Sequence, residues 1–247
     1  MKKGNIPLVS VIITTRNEES VIEKLLKSIQ TQTYSSLEII LVDNHSTDRT
    51  CEIARTYVDK LLIQGPERSA QRNLGVRESS GNYVLILDAD MELSSNVVKE
   101  AVSRVTKDPS IKAIIIPEKS FGQNFWARCK TLERNCYIDN LTAVAGARFY
   151  ERQLFLKAGG FDENITGPED WDLSQRVGQI AQIGFIQSLI YHNEGQISLL
   201  NQMRKKYYYV VDPQNWTVFL RFLVGSLLLM SQLPGGFELN GRQIPKR

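Results

Sequence analysis

Two carboxylates separated by one small residue, Asp88-Ala89-Asp90, close the apolar run Tyr83-Val84-Leu85-Ile86-Leu87 and precede Met91-Glu92. A charge set beside a hydrophobic core is costly unless something compensates it. Mg²⁺ and Mn²⁺ take oxygen ligands and are commonly held by one or two carboxylates together with substrate phosphates. The pair therefore points to a divalent cation carrying a diphosphate, and so to nucleotide chemistry. A further acidic cluster, Glu169-Asp170, follows Gly167-Pro168 where a helical pattern begins.

The elements that must position these groups alternate along the first half of the chain. Val9–Ile13, Leu37–Val42, Lys60–Gln64 and Tyr83–Leu87 read as short buried strands. Between them, Glu18–Gln30 carries Val21, Ile22, Leu25, Leu26 and Ile29 at helical spacing, and Asp48–Tyr57 and Glu67–Ser79 read as helices. Strands separated by helical stretches mean βαβ units and a mainly parallel sheet. Such sheets bind ligands beyond the carboxyl ends of their strands. Thr14-Thr15, Asp43-Asn44 and Asp88 to Asp90 all stand at such ends.

The second half is less regular. Ser95–Val105 predicts a helix, Ala113–Ile116 a strand stopped by Pro117, and 121–137 a loop running into a helix. The stretch 143–150 reads as a strand or extended turn, Gln153–Lys157 as a short helix, Asp170–Ile180 as a helix and Gly184–Tyr191 as one strand. Asp48 is expected to cap its helix. The aromatic stretch Phe121 to Trp126 is a candidate acceptor-side loop.

Bulk properties narrow the classes. At 247 residues with 42% hydrophobic and 23% charged residues, the chain can bury a full core. A net charge of +3, with no dense basic block interleaved with aromatics, argues against nucleic acid as a partner. Cys51, Cys129 and Cys136 have no zinc-type spacing and read as free thiols of a reducing compartment. The N-terminus lacks a signal-type apolar stretch, so a cytoplasmic location is expected. Trp216 to Leu233 is mostly apolar but interrupted by Arg221, which favours a buried or interfacial helix over a membrane span. With Arg204-Lys205-Lys206 it makes 204–233 a candidate for peripheral contact at the cytoplasmic face of a membrane.

No Gly-x-Gly-x-x-Gly and no Walker-type loop follows the first strand. The turn there is Thr14-Thr15-Arg16-Asn17-Glu18. Together with Ile40-Leu41-Val42-Asp43-Asn44-His45-Ser46-Thr47-Asp48, Ala70-Gln71-Arg72-Asn73-Leu74-Gly75, Leu87-Asp88-Ala89-Asp90, Gly159-Gly160-Phe161-Asp162-Glu163 and Gly167-Pro168-Glu169-Asp170-Trp171-Asp172-Leu173, it resembles family 2 glycosyltransferases of the GT-A fold. The resemblance spans roughly Val9 to His192, and its weight lies in the order of the segments, since Asp-x-Asp alone is common.

The resemblance implies an α/β fold with a mainly parallel mixed sheet flanked by helices. It implies a catalytic domain over 1–193, with a nucleotide-binding half at about 1–90 and an acceptor half at about 91–193, and a helical C-terminal appendage over 194–247. It further implies an inverting, metal-dependent transfer of one sugar from a nucleoside-diphosphate sugar to a glycan or lipid-linked acceptor. Thr14, Thr15, Glu18, Asp43, Asn44, Arg68, Arg72 and Asp88 would line the donor site. Asp88, Asp90 and His192 would hold Mn²⁺ or Mg²⁺, and Asp170 would be the catalytic base, with Glu169 and Trp171 on the acceptor side. Asn44 stands where many members have Asp, which leaves the base of the donor open. Gln202-Met203-Arg204-Lys205-Lys206 lacks the Trp of the Gln-x-x-Arg-Trp motif, which implies single-sugar transfer. Two alternatives remain: a sugar nucleotidyltransferase, against which the glycine-free first turn argues, and a non-catalytic nucleotide- or glycan-binding protein, against which Asp88, Asp90 and Asp170 argue.

Overall fold

The computed structural model describes residues 6–136, 146–165, 167–198, 238–239 and 242–243. A seven-stranded sheet forms its centre. Strands β1 (Val9–Thr15), β2 (Leu37–Asp43), β3 (Lys60–Ile63) and β4 (Tyr83–Asp88) lie in the order β3-β2-β1-β4 and are all parallel. The sheet continues through β8 (Phe149–Glu151), β6 (Ile111–Ile115) and β9 (Gln182–Phe185). Strand β8 runs antiparallel to both β4 and β6, whereas β6 and β9 are parallel. A second, three-stranded sheet has the order β5 (Met91–Leu93), β10 (Ile190–Asn193), β7 (Glu118–Phe121).

Alternation along the central strands splits the core into two layers. Val9, Val11 and Ile13 of β1 pack with Leu85 and Leu87 against α1 (Ile22–Gln30), α2 (Thr50–Ala54) and α4 (Val97–Lys107). Ile12, Val84 and Ile86 face the other side, against α3 (Arg68–Arg77), α6 (Arg152–Lys157) and α7 (Glu169–Gly178). Helix α1 follows its apolar period closely, burying Ile22, Leu25, Leu26 and Ile29. Helix α3 does the opposite: Ser69, Gln71, Arg72 and Asn73 are buried, so its inner face is polar.

The βαβ reading holds, with helices trimmed at their ends. Three expectations change. The single strand Gly184–Tyr191 is two strands, β9 and β10, in different sheets. The link between them turns because Glu100 Oε2 accepts the backbone N–H groups of Gln187 at 3.2 Å and Ser188 at 2.9 Å. Strands β5 and β7 had no signal of their own, being three and four residues long and defined by their pairing with β10. Helix α5 (Phe125–Asn135) starts inside the aromatic stretch read as a loop, because Asn124 caps it by accepting Ala127 N–H at 2.9 Å.

Of the C-terminal appendage expected as helical, residues 194–198 are irregular and β11 (Glu238–Leu239) pairs antiparallel with β12 (Arg242–Gln243). The intervening Asn240-Gly241 is the dipeptide that favours a two-residue hairpin. The basic cluster 204–206 and the apolar run 216–233 lie outside the described residues, as do 137–145. Among the described residues no helix is long and apolar enough to cross a membrane.

Helix α3 approaches β1 closely at Gly75, where an added Cβ would lie 2.4 Å from Ile12 Cγ2 and 3.2 Å from Val42 Cγ2. Alanine gains about 1 kcal/mol in helix propensity over glycine, but overpacking a core typically costs about 1–3 kcal/mol. Gly75→Ala is therefore expected to lower the urea midpoint, and an unchanged or raised midpoint would mean that α3 can shift away from β1.

Candidate functional site

The site is assembled at the carboxyl end of the parallel strands by register. Thr15 lies opposite Asp43 of β2 and Thr14 opposite Asp88 of β4. Thr15 Oγ1 donates to Asp43 Oδ1 at 2.8 Å, and Ser46 donates its hydroxyl to Oδ1 at 2.5 Å and its N–H to Oδ2 at 2.7 Å. Gln71 of α3 donates to the carbonyls of Val42 at 2.7 Å and Thr15 at 3.1 Å. Asn44 is buried and donates to Pro66 O at 2.8 Å, which ties the β2 end to the Gly65-Pro66 turn. Asp43, Asn44 and Thr15 thus spend their side-chain bonds on fixing the loops around them.

The centre is Arg72. Its side chain is 0% exposed. Nη2 donates to Asp88 Oδ1 at 2.8 Å, and Nη1 reaches Asp170 Oδ1 at 2.9 Å and Glu169 Oε1 at 3.3 Å. Arg68, one helical turn earlier and half-exposed, donates to Glu169 Oε1 at 2.7 Å. Gly167 N–H donates to the other Glu169 oxygen at 2.7 Å. The Arg72 guanidinium also stacks over Phe161 at 5.0 Å, a cation–π contact that suits a desolvated cation. Asp170 is the second residue of α7, so the positive end of that helix adds to the field of Arg72. Trp171 lies half-buried beside it.

A second chain of charges runs through the small sheet. Arg148 joins Asp88 and Glu118, with Nη1 3.6 Å from Asp88 Oδ2 and Nε hydrogen-bonded to Glu118 Oε1. Glu118 Oε2 lies 3.2 Å from His192 Nδ1, and His192 Nε2 lies 3.2 Å from Asp90 Oδ2. Burial opposes ionisation of Asp88, but Arg72, Arg148 and Arg68 override it and hold its carboxyl far below the usual range. For Glu118 the same contest, settled by Arg148 and His192, ends at about 2. Burial would strip the proton from His192, yet its bonds to Asp90 and Glu118 raise it to about 9. Glu18, at the mouth of the site, is pushed up to about 7 by burial and then by Asp90, Asp48 and Asp88.

The three residues expected around a cation are therefore divided. Asp90 and His192 touch each other, while Asp88 is turned to two arginines. Among the described residues no group of three His, Cys, Asp or Glu side chains gathers closely enough to hold a metal ion unaided. Asp90 Oδ1, however, is a buried acceptor without a hydrogen-bond partner, an arrangement that costs energy until a positive group meets it. One carboxylate oxygen of this kind, completed by substrate phosphates, is a normal Mg²⁺ or Mn²⁺ environment. Arg148 and Glu118 escaped the sequence reading. Their signal was the one that flagged Asp88, a charge next to apolar strand residues: Ile114-Ile115-Ile116-Pro117-Glu118 and Ala147-Arg148-Phe149.

Comparison with known proteins places this geometry in context. Residues 10–159 match the family model described as glycosyl transferase family 2. The beta-monoglucosyldiacylglycerol synthase of Nostoc sp. is 28% identical over 201 residues, 71% of this chain and 42% of that protein. The GalNAc(5)-diNAcBac-PP-undecaprenol beta-1,3-glucosyltransferase of Campylobacter jejuni is 31% identical over 181 residues, 66% of this chain and 57% of that protein. The chain spans about half the length of these curated relatives. The mannosyltransferase PcManGT from Pyrobaculum calidifontis, solved in complex with GDP-Man and Mn²⁺, has a similar fold, with a TM-score of 0.60 and 21% identity over 76% of this chain and 57% of that one.

Two measurements test the electrostatics. Arg72→Leu strands Asp88, Glu169 and Asp170 without their shared cation, and breaking a buried ion network in this way costs about 3–5 kcal/mol, which urea denaturation should register. Glu18 binds its proton more tightly folded than unfolded, so its contribution to stability is complete below the ordinary value of 4.5 and is lost as pH rises through about 7. The melting temperature of Glu18→Gln relative to wild type is therefore expected to rise between pH 5 and pH 8. A difference independent of pH would place the Glu18 carboxyl in open solvent.

Proposed function

The chain belongs to glycosyl transferase family 2, and from that premise we propose that it moves one sugar from a nucleoside-diphosphate sugar to an acceptor hydroxyl, with inversion at the anomeric carbon and with a divalent cation at the diphosphate. The observation that carries the proposal is the shared guanidinium. Arg72 reaches Asp88 at the end of β4 at 2.8 Å and Asp170 at the start of α7 at 2.9 Å. Donor end and acceptor end of the site are held one side-chain width apart, as a direct displacement needs.

In this reading Asp170, partly open to solvent, takes the proton of the attacking hydroxyl. Arg72 fixes that carboxylate in place and keeps it from moving toward the donor. Glu169, fully engaged by Arg68, Arg72 and Gly167, sets the entry of α7 and so the position of its neighbour. Glu18 and Arg68 border the nucleotide, while Thr14, Thr15, Asp43 and Asn44 shape the wall against which base and ribose rest. When bound, a divalent cation supplies positive charge at the departing diphosphate. Asp90 would hold it, with His192 beside it and Asp88 setting the local charge through Arg72 and Arg148.

Support for the cation also comes from the fold neighbour solved with Mn²⁺. A lipid-linked acceptor is favoured because the names of both curated relatives carry a lipid, diacylglycerol in one and PP-undecaprenol in the other.

A thermal-shift panel of UDP-, GDP- and dTDP-sugars, with and without Mn²⁺, tests the donor half. One nucleotide should stabilise the protein in a metal-dependent way, and Asp90→Ala should abolish the metal dependence. Silence toward every nucleotide would sink the reading. For the acceptor half, Asp170→Asn should keep that donor response and lose transfer by about 10²–10⁴-fold; near-normal turnover would remove Asp170 from the role of base.

A further inference from the structure

Large apolar side chains left in solvent are not spread evenly over this protein. Among the described residues ten are exposed, and five of them, Phe121, Phe125, Trp126, Leu132 and Tyr191, belong to the unit formed by β7, α5 and β10. The unit is continuous. Tyr191 of β10 pairs with Lys119 of β7. Helix α5 is fastened to β7 where Asn135 accepts Ser120 N–H at 2.9 Å and donates to Ser120 O at 3.1 Å. Single exposed apolar residues are ordinary, but a contiguous group marks a contact surface.

Phe125, Cys129 and Leu132 of α5 and Cys136 at its C-cap fall at helical spacing on one face, and all four are exposed. Trp126 flanks that stripe, edge-on to Phe125 at 5.1 Å between ring centres. The inward side is spoken for: Ala127 is buried, and a Cβ on Gly122 would lie 2.5 Å from Ala127 Cβ. The charges around the stripe are mainly basic. From Lys119 to Cys136 the sequence has Lys119, Arg128, Lys130 and Arg134 against a single acid, Glu133. Lys119, Arg128 and Arg134 are exposed.

We propose that this face is a membrane-docking surface, on which α5 lies in the plane of an anionic lipid bilayer. A short helix with Phe, Trp and Leu on one side and Lys or Arg beside them is the form that settles at the boundary between headgroups and acyl chains. Trp and Tyr prefer that depth, and each basic residue near the surface gains from anionic headgroups. Charge complementarity decides the occupant: even with Glu194 counted against Lys130 and Arg134, the face has four cations to two acids, and this surplus fits an anionic bilayer better than a second copy of a face with the same charge.

The surface is also joined to the catalytic centre. Lys130 and Arg134 both bind Glu194, at 2.5 and 3.2 Å, and Arg134 Nη1 lies 3.1 Å from His192 Nδ1. A helix seated in the headgroup layer would thus stand one residue away from the group next to Asp90. That placement would present a lipid-linked acceptor at the mouth of the site, a use that rests on the proposed function, whereas the docking does not.

The test uses the full chain and vesicles of phosphatidylcholine with 30 mol % phosphatidylglycerol. Wild type should co-sediment with them, less so with pure phosphatidylcholine and less at 0.5 M NaCl. The double variant Phe125→Glu, Leu132→Glu changes only exposed positions and should keep its melting temperature and its nucleotide response. Its partition onto anionic vesicles should fall about tenfold or more. In a Cys51→Ser, Cys136→Ser background, an environment-sensitive fluorophore on Cys129 should shift to the blue when vesicles are added. No binding by wild type, full binding by the double variant, or no shift at Cys129 would each overturn the proposal. A probe already in an apolar setting without vesicles would show the stripe covered by the chain itself. A dimer in sedimentation velocity that the double variant abolishes would assign the face to a second copy. Either result also overturns it. Loss of nucleotide response in wild type would count against the proposed function and leave the docking result standing.

Discussion

Everything at the carboxyl edge of this sheet depends on one fully buried guanidinium. Desolvating a cation costs several kcal/mol even after the protein relaxes, and only close partners can repay that. Arg72 finds three carboxylates on two elements, Asp88 on β4 and Glu169 with Asp170 on α7, and an aromatic face in Phe161. Its Nε has no hydrogen-bond partner, so the two Nη groups and the Phe161 face carry the compensation. The dependence is mutual, because Asp88 and Glu169 are themselves largely removed from water. Helix α3 can supply such a group because its inner face carries Ser69, Gln71, Arg72 and Asn73 beside the apolar Ala70 and Val76. Gln71 binds the ends of β1 and β2, and Asn73 holds Phe161 through both its backbone groups, donating to its O at 2.9 Å and accepting its N–H at 2.9 Å.

From Asp88 the charges alternate outward through Arg148, Glu118 and His192 to Asp90. Each group in the series is adjacent to one of opposite sign, so a concentration of acid at this edge of the sheet is tolerated. The second sheet exists to hold this series. His192 pairs with Met91 of β5 on one side and Ser120 of β7 on the other, which sets the imidazole between Asp90 and Glu118. The residue at the centre of this sheet, and not the length of its strands, explains why three short strands suffice.

Much of this was legible in the amino-acid order, for identifiable reasons. The parallel strands announced themselves as apolar runs with polar residues at one end, because both faces of those strands are covered. Asp88 and Asp90 stood out because their chemistry is at odds with the apolar strand before them, whereas Asp170 was reached only through the order of the resembling segments. The burial of Arg72 was not legible: an arginine in a helix is usually a surface charge, and only tertiary contacts turn it inward. Strands β5 and β7 were missed because their partner lies about a hundred positions from the first and about seventy from the second, beyond what local periodicity can carry. The division of Gly184–Tyr191 into two strands turned on a carboxylate from α4, which no window on that segment contains.

One strand of the main sheet runs against the others. Strand β8 lies between β4, from the first part of the chain, and β6, from the later part, and is hydrogen-bonded to both. A crevice between two separately folded lobes would allow them to hinge. Here the sheet passes through the boundary without interruption, so neither half has a closed core or a finished sheet edge of its own. The two halves must therefore gain and lose their structure in one cooperative step, and any opening that admits substrate is confined to the loops above the strands.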